Sequence, residues 1–307
     1  MPQIENASSE IFPKNAEAVQ GEVAAFWNAE PCDSENSLLS PSTQHYYLEI
    51  EADRYAHQGH ILEIMNWLEW KGRSILEIGT GVGTDARQMI VRGAHYHGIN
   101  VDSGSCETTR AALEVFGYAG DVRKMSATEM GFESGRFDTV YSFGVLHHIP
   151  DVQKAVSHIH RVLKPGGHLL FMVYNRSSIN YQIEIRYLRR WMLKILTLPG
   201  FISFFGKIGF PREKLQRHVE LFEKFGKMSN AEWLSRNTDG PDNPYSVVYG
   251  RDEIPLLLDE GFRVLRNEVY YFDWRHWGVL GRILPKTLVG WLGKRWGWHR
   301  VVLAKRL

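Results

Sequence analysis

The residues best equipped for chemistry gather in "SILEIGTGVGTD", where an apolar run ends and glycines follow at alternate positions, Gly79, Gly81 and Gly83. Glycine lets a backbone turn tightly and approach a ligand with no Cβ in the way. Backbone N–H groups at the start of the next helix suit a polar or anionic group. The stretch is not a phosphate loop: it lacks G-K-[ST], and no lysine or arginine lies between Gly79 and Asp85. It also departs from the dinucleotide pattern G-x-G-x-x-G, because Thr84 stands where the third glycine belongs. Three acids sharpen the reading. Glu77 sits inside the apolar run, where an unpaired carboxylate is costly, so it calls for a donor such as a ligand ammonium. Asp102 ends the second apolar run and can accept both hydroxyls of a ribose. Asp121, in "GYAGDV", can accept from an adenine amino group. An adenosine carrying an amino acid rather than a diphosphate matches this set.

Two further groups carry side chains suited to an acceptor. His147 and His148, in "GVLHHIPD", follow a strand-like run, where ligands meet an open sheet. An imidazole there can take a proton from a hydroxyl or amine. Packing and a hydrogen bond to the loop is the competing role, assigned to His148; His147 is the candidate base. His158 and His160 read as ordinary helix residues, and none of these spacings matches a metal site. In "STQHYYLEIEADRY", Ser42 or Thr43 can cap a helix that places Tyr47 and Arg54 seven residues apart on one face.

The elements that must position these residues alternate. "SILEIG", "HYHGINVD", a short strand closed by "AGD", "FDTVYSF" and "HLLFMVYN" read as strands. Between them "TDARQMIVR", "GSCETTRAALEVFG" and "VQKAVSHIHRVLKPGG" read as helices, which predicts a doubly wound α/β sheet. Residues 1 to about 20 read as a loose arm, and "NAEPCDSENSLLSPST" as a turn-rich stretch over the surface. From Arg176 to Tyr245 the pattern turns helical, aromatic and irregular, as an insertion over one end of the sheet. "RVLRNEVYYFD" and "WHRVVLAKR" return to strand.

With 307 residues, 44% hydrophobic and 23% charged, the chain suits one large α/β domain with additions. A net charge of +1 gives no nucleic-acid footprint. The two cysteines, Cys32 and Cys106, make no disulfide framework and fit a reducing, cytoplasmic setting. The most apolar stretch, Trp191 to Phe210, is broken by Lys194, Pro199-Gly200 and Lys207 and makes a poor membrane span. The tail "WLGKRWGWHR" mixes tryptophan with basic residues, which suits peripheral membrane contact or burial of the indoles against the sheet.

Taken together, "LEIGTGVGTD", "FDTVYSFGVLHHI" and "LKPGGHLL" resemble the class I S-adenosylmethionine-dependent methyltransferases, particularly their small-molecule branch. The resemblance spans roughly residues 70 to 175. It implies a Rossmann-like sheet of seven strands in the order 3-2-1-4-5-7-6, strand 7 antiparallel, with an N-terminal helical cap (1–69) and a core (70–307) carrying an acceptor-side insert (176–245). It implies S-adenosyl-L-methionine as cofactor, with Glu77, Gly79, Thr80, Gly81 and Gly83 at the methionine end. Asp102 and Ser103 fall at the ribose, Asp121 and Val122 at the adenine, and Ser142 and Phe143 at the end of strand four. In such enzymes an N-terminal helix covers the cofactor. Tyr47 and Arg54 are then cofactor contacts, Tyr47 also a catalytic candidate beside His147 and His148, and Tyr46 faces the acceptor. Tyr181, Arg186, Asn243 and Tyr245 of the insert are acceptor contacts, with Asn237 and Asp239 near the same mouth. The expected partner is a small-molecule acceptor, with no nucleic acid, on a monomer or homodimer. The expected reaction is methyl transfer to oxygen, nitrogen or carbon. A cofactor-binding protein without transfer, or an enzyme acting on a lipid or isoprenoid precursor at a membrane surface, are the alternatives.

Overall fold

A computed structural model describes residues 15–29, 43–207, 212–225, 228–240, 242–272 and 283–307. Residues 1–14, most of the turn-rich stretch after Ala29, Cys32, Trp274 and Trp277 lie outside them.

The parallel half of the sheet is built by β1 (Ser74–Ile78), β2 (His95–Asn100), β3 (Asp121–Lys124), β4 (Phe137–Phe143) and β5 (Leu163–Asn175). A two-residue β6 (Val248–Tyr249) pairs with the end of β5. β7 (Phe262–Tyr270) and β8 (His299–Arg306) complete the sheet in the order β3-β2-β1-β4-β5-β8-β7, with β8 antiparallel to both neighbours. The extra strand β6 aside, this is the expected topology.

Side-chain alternation divides the core between the two faces. Ile75, Leu170 and Met172 join one apolar cluster, while Leu76, Ile78, Leu169, Phe171 and Val173 join the other. Residues 169–173 are buried on both faces, as a central strand requires. Each such large side chain contributes about 1.5–3 kcal/mol of burial.

The helices follow local rules. N-terminal to the sheet lie α1 (Ala16–Ala29), α2 (Gln44–His57) and α3 (His60–Met65). Thr43 caps α2 by accepting from the Tyr46 amide. Next come α4 (Thr84–Val91), α5 (Ser103–Val115) and α6 (Val152–Val162). On α6, Val152, Ala155, Val156, Ile159 and Val162 are buried at helical spacing, and Asp151 caps by accepting from the Lys154 amide. The helix stops at Val162, short of the expected "LKPGG", which already belongs to β5. In the insert a π-helical stretch, Asn180–Leu188, runs into α7 (Arg189–Leu196), followed by α8 (Phe201–Lys207), α9 (Arg212–Phe225) and α10 (Asn230–Ser235). α11 (Ile254–Leu258) packs on α6, and α12 (Lys286–Trp296) packs on β7.

One boundary changes the site. The sequence placed Asp121 at the end of strand three, but β3 begins there. Asp121 pairs in register with His97, and Lys124 with Asn100, so the carboxyl end of the strand lies beyond Lys124.

Candidate active site

Gly79, Gly81 and Gly83 all take positive φ, at 82°, 53° and 79°. L-residues avoid this region, so the turn out of β1 is written in glycine. A Cβ on Gly79 would run into the Val145 side chain, and one on Gly83 would lie 3.2 Å from Thr109. The Thr109 hydroxyl of α5 contacts the Thr80 hydroxyl (2.8 Å) and the Gly81 carbonyl (3.0 Å), which pins the loop from behind.

A cavity opens at the carboxyl ends of β1 to β5. Its floor is Ile78, Gly79 and Gly81, then Ile99, Asn100 and Val101 at the end of β2, Met125 to Ala127 after β3, and Phe143 to Val145 at the end of β4. Gln20, Val23 and Trp27 of α1 cover one side, and Arg54 and Gln58 close another. The far wall comes from His148, Ile149, Tyr174, Thr238, Asp239, Tyr271, Trp298 and His299.

Several expected contacts lie behind this wall. Glu77 is buried and takes the Tyr96 hydroxyl at 2.5 Å. Burial, then the nearby Asp85 charge, push its carboxyl well above the usual range. The donor it needs is therefore a core tyrosine. Thr80, Gly83 and Ser142 support the loop without lining the cavity; the Ser142 hydroxyl donates to the Ile78 carbonyl at 3.3 Å. Ser103 opens α5 and is also absent from the lining.

Asp102 caps α5 through Oδ1, which accepts from the Ser105 amide at 2.7 Å. Its Oδ2 is buried with no hydrogen-bond partner among the described residues, while its neighbours Val101 and Ser105 line the cavity. Asp121 is paired with Arg123 (2.6 Å) near the start of β3, and the Val122 carbonyl accepts from Arg110. Neither reaches the cavity, because β3 starts later than the sequence suggested; Met125, Ser126 and Ala127 stand there instead.

The N-terminal helices divide similarly. Arg54 lines the cavity and is paired with Asp85 at 3.0 Å. Asp85 also accepts from Tyr55 (2.9 Å) and Tyr141 (2.8 Å). Tyr46 and Tyr47 are buried in a separate cluster with Ile50, Val82 and Ala112, and the Tyr47 hydroxyl faces the Thr108 carbonyl. Both are packing residues between α2 and α5, against the expectation of ligand contact.

The two histidines sit differently against the cavity from what the sequence suggested. His147 is fully buried, lies 3.8 Å ring to ring from Tyr174, and does not line the cavity. Burial holds its pKa well below the ordinary value, with His148 and His299 adding to the effect. His148 lines the cavity. Its Nδ1 lies 2.8 Å from the Tyr245 carbonyl and 3.0 Å from Ser246 Oγ, while Nε2 faces Asp239 Oδ2 at 3.4 Å.

In the insert, Asp239 alone of the expected residues lines the cavity. Asn243 lies one layer behind, donating to Asp239 Oδ2 (3.1 Å). Tyr245 contributes its carbonyl. Asn237 is buried, donating to the Trp233 carbonyl. Tyr181 packs on the core, and the exposed Arg186 bonds Gln182 and lies over Tyr181.

Sequence reasoning missed Asn100, Trp27, Tyr174, Tyr271, Trp298 and His299. Tyr174 and Asn100 were findable, since both stand at carboxyl ends of strands, the rule that located Phe143. His299 pairs with His60 (Nδ1 to Nε2, 3.0 Å). Burial lowers the His60 pKa to about 3 and the His299 pKa well below its ordinary value. Among the described residues, no group of three or more His, Cys, Asp or Glu is arranged to hold a metal ion.

A glycine turn at β1, a crevice over the carboxyl ends of parallel strands and an antiparallel strand between β5 and β7 define a class I methyltransferase fold. The comparisons agree. Residues 76–171 match the family model described as "Methyltransferase domain". The "Ubiquinone biosynthesis O-methyltransferase" of Pseudomonas aeruginosa is 32% identical over 126 residues, 39% of this chain and 54% of that protein. The "Phosphoethanolamine N-methyltransferase 2" of Caenorhabditis elegans is 39% identical over 110 residues, 34% of this chain and 24% of that protein. The solved geranyl diphosphate C-methyltransferase of Streptomyces coelicolor A3(2) superposes with a TM-score of 0.54 at 15% identity, covering 96% of this chain and 100% of that one. Over residues 76–171 this chain is therefore similar to methyltransferase domains, and its fold is that of the class I S-adenosylmethionine-dependent methyltransferases. The chain spans about half the length of the first ubiquinone-biosynthesis relatives it matches.

The residues present fit that cofactor. The glycine turn leaves space that a Cβ on Gly79 would disturb, the buried Asp102 Oδ2 has no donor among the described residues, and Asn100 and Ser126 offer polar groups along the floor.

Proposed function

We propose that the chain transfers a methyl group from S-adenosylmethionine to an oxygen, nitrogen or carbon of a small, partly apolar metabolite. The observation that carries this reading is one continuous cavity, running from the glycine turn to a wall of Tyr174, Tyr271, Trp298, His148 and Asp239. The three relatives named above act, by their names, on oxygen, nitrogen and carbon, so the shared core leaves the nucleophile open.

When bound, the cofactor supplies an electrophilic methyl on a sulfonium. Gly79, Gly81 and Arg54 would hold its methionine end, and Asn100 with Asp102 its ribose. The chain's part is to bind the acceptor against the ring-lined wall, fix its direction and keep water out. Orientation of this kind is worth up to about 7–11 kcal/mol. Calorimetry with S-adenosylhomocysteine, followed by product assay on a metabolite panel, tests the proposal. No binding overturns it, and binding with no methylated product in unbiased extracts favours a cofactor-binding protein without transfer.

A second reading places the acceptor at a membrane surface. Ile183, Tyr187, Trp191 and Leu198 form an exposed stripe, with Trp191 67% exposed, and Arg186 and Lys194 beside it. Aromatic and basic residues together suit a lipid interface. α12 also exposes Trp291 and Trp296, whereas Trp298 is buried in the cavity wall. Among the described residues no helix is long and apolar enough to cross a membrane. Flotation with anionic vesicles tests this reading; protein remaining at the bottom overturns it.

A further inference from the structure

We propose that His148 Nε2 is a general base for an aromatic hydroxyl on the acceptor, and that Asp239 is the positioning residue that stabilises the resulting imidazolium. This rests on the methyl-transfer reading above and names the acceptor class of the same cavity.

The tautomer of His148 follows from its partners. A backbone carbonyl only accepts, so Nδ1, 2.8 Å from the Tyr245 carbonyl, carries the ring hydrogen. In the neutral ring Nε2 then bears the lone pair. Nε2 is buried and makes no hydrogen bond among the described residues, on a side chain that is 4% exposed and lines the cavity.

Asp239 is fixed beside it. The Tyr174 hydroxyl donates to Oδ1 at 2.5 Å and the Asn243 amide to Oδ2 at 3.1 Å. Asn243 is itself oriented by Thr238 and Ser246. Oδ2 stands 3.4 Å from His148 Nε2. A lone pair and a carboxylate gain nothing from each other, but a protonated Nε2 and that carboxylate form an ion pair. The arrangement favours the state after proton uptake. Among the described residues the rings facing His148 are the neutral His147 ring (4.2 Å between centroids), the Tyr174 ring (5.9 Å) and the Trp27 edge (5.5 Å).

Two acceptors side by side require a hydrogen donor from the ligand. The rings of Trp27, Tyr174, Tyr271 and Trp298 require that the rest of it be flat and apolar. An imidazole suits the proton of an aromatic hydroxyl, whose ordinary pKa is about 10, far better than that of an alkyl alcohol. The hydroxyl proton bonds to the Nε2 lone pair, and the O–H electron pair stays on oxygen. That pair becomes the new O–CH3 bond while the C–S pair returns to sulfur. The products are an aryl methyl ether, a thioether and an imidazolium, which releases its proton to solvent.

4-Nitrophenol provides a test that needs no turnover, because its phenolate absorbs in the visible. The full-length protein is saturated with S-adenosylhomocysteine and titrated with the probe below the probe's own pKa. Bound probe is expected as phenolate in the wild type and as phenol in His148→Gln. In Asp239→Asn, loss of the adjacent charge should lower the ionised fraction about tenfold or more. Asp239→Glu should restore part of it, and retained S-adenosylhomocysteine affinity certifies that each variant is folded. Ionisation that is absent in the wild type or unchanged in either loss-of-function variant overturns the base and leaves methyl transfer standing. A probe that does not bind, with or without benzylamine binding in its place, overturns the hydroxyl class. Failure of S-adenosylhomocysteine to bind the wild type overturns the methyl-transfer reading itself.

Discussion

Two acid-centred clusters border the cavity and differ in how completely they are satisfied. Asp85 is nearly buried and accepts from Arg54, Tyr55 and Tyr141. Asp239 is more exposed, holds Tyr174 and Asn243, and faces an imidazole nitrogen that has no hydrogen to give. A saturated carboxylate fixes its surroundings and has no capacity left for a ligand. A partly satisfied one, aimed at a cavity, gains when a proton arrives. Asp85 braces α2 against the sheet, and Asp239 is the carboxylate that the proposal gives a part in proton transfer.

The strongest way to break this contrast is Asp85→Ala. It leaves the Arg54 guanidinium, 13% exposed, without its carboxylate, and removing one partner of such a pair costs about 3–5 kcal/mol, read in the urea midpoint. A loss in turnover with normal stability would make Asp85 the active carboxylate instead. His148→Gln should show the opposite profile: turnover falls about 10²–10⁴-fold, the usual range for a general base, with S-adenosylhomocysteine affinity and urea midpoint nearly unchanged.

Gly79→Ala tests the backbone side of the site. A left-handed alanine costs about 1–2 kcal/mol before its clash with Val145, and cofactor affinity should fall in calorimetry while His148-dependent ionisation of a bound phenol persists.

Acidification addresses the buried imidazoles. His60 titrates at about 3 in the fold against 6.5 as its ordinary value. The unfolded chain therefore binds protons first, so stability is complete above pH 6.5 and is lost as pH falls toward 3. Urea midpoints should decline through that window, and His60→Phe should flatten the decline. The smallest effect is expected for Asp102→Ala. The lost cap costs about 0.5–2 kcal/mol, and cofactor affinity should fall if Oδ2 takes a ribose hydroxyl. Unchanged affinity would reduce Asp102 to a capping residue.

What the sequence disclosed follows the same division. The glycine turn was legible because a positive φ can be met cheaply only by glycine, so a backbone requirement leaves a compositional trace. The sheet order came from resemblance, and the helices from apolar spacing, as on α6. Asp121 was misplaced because β3 has only four residues, too few for alternation to fix its ends. The acceptor wall was largely illegible because Tyr174, Asp239 and His299 belong to separate segments that meet only in the fold. Tyr46 and Tyr47 misled because a tyrosine on a covering helix looks the same whether its ring meets a ligand or a neighbouring helix.

The position of β8 has a consequence for assembly. It lies between β5 and β7, so β7, although synthesised earlier, has no edge to join until the later strand arrives. Trp298 and His299 come with that strand. The nascent chain can thus shape its glycine turn early but stays open on the opposite side, and closure of the cavity waits for the β5–β8 pairing, the most distant in sequence among the described strands.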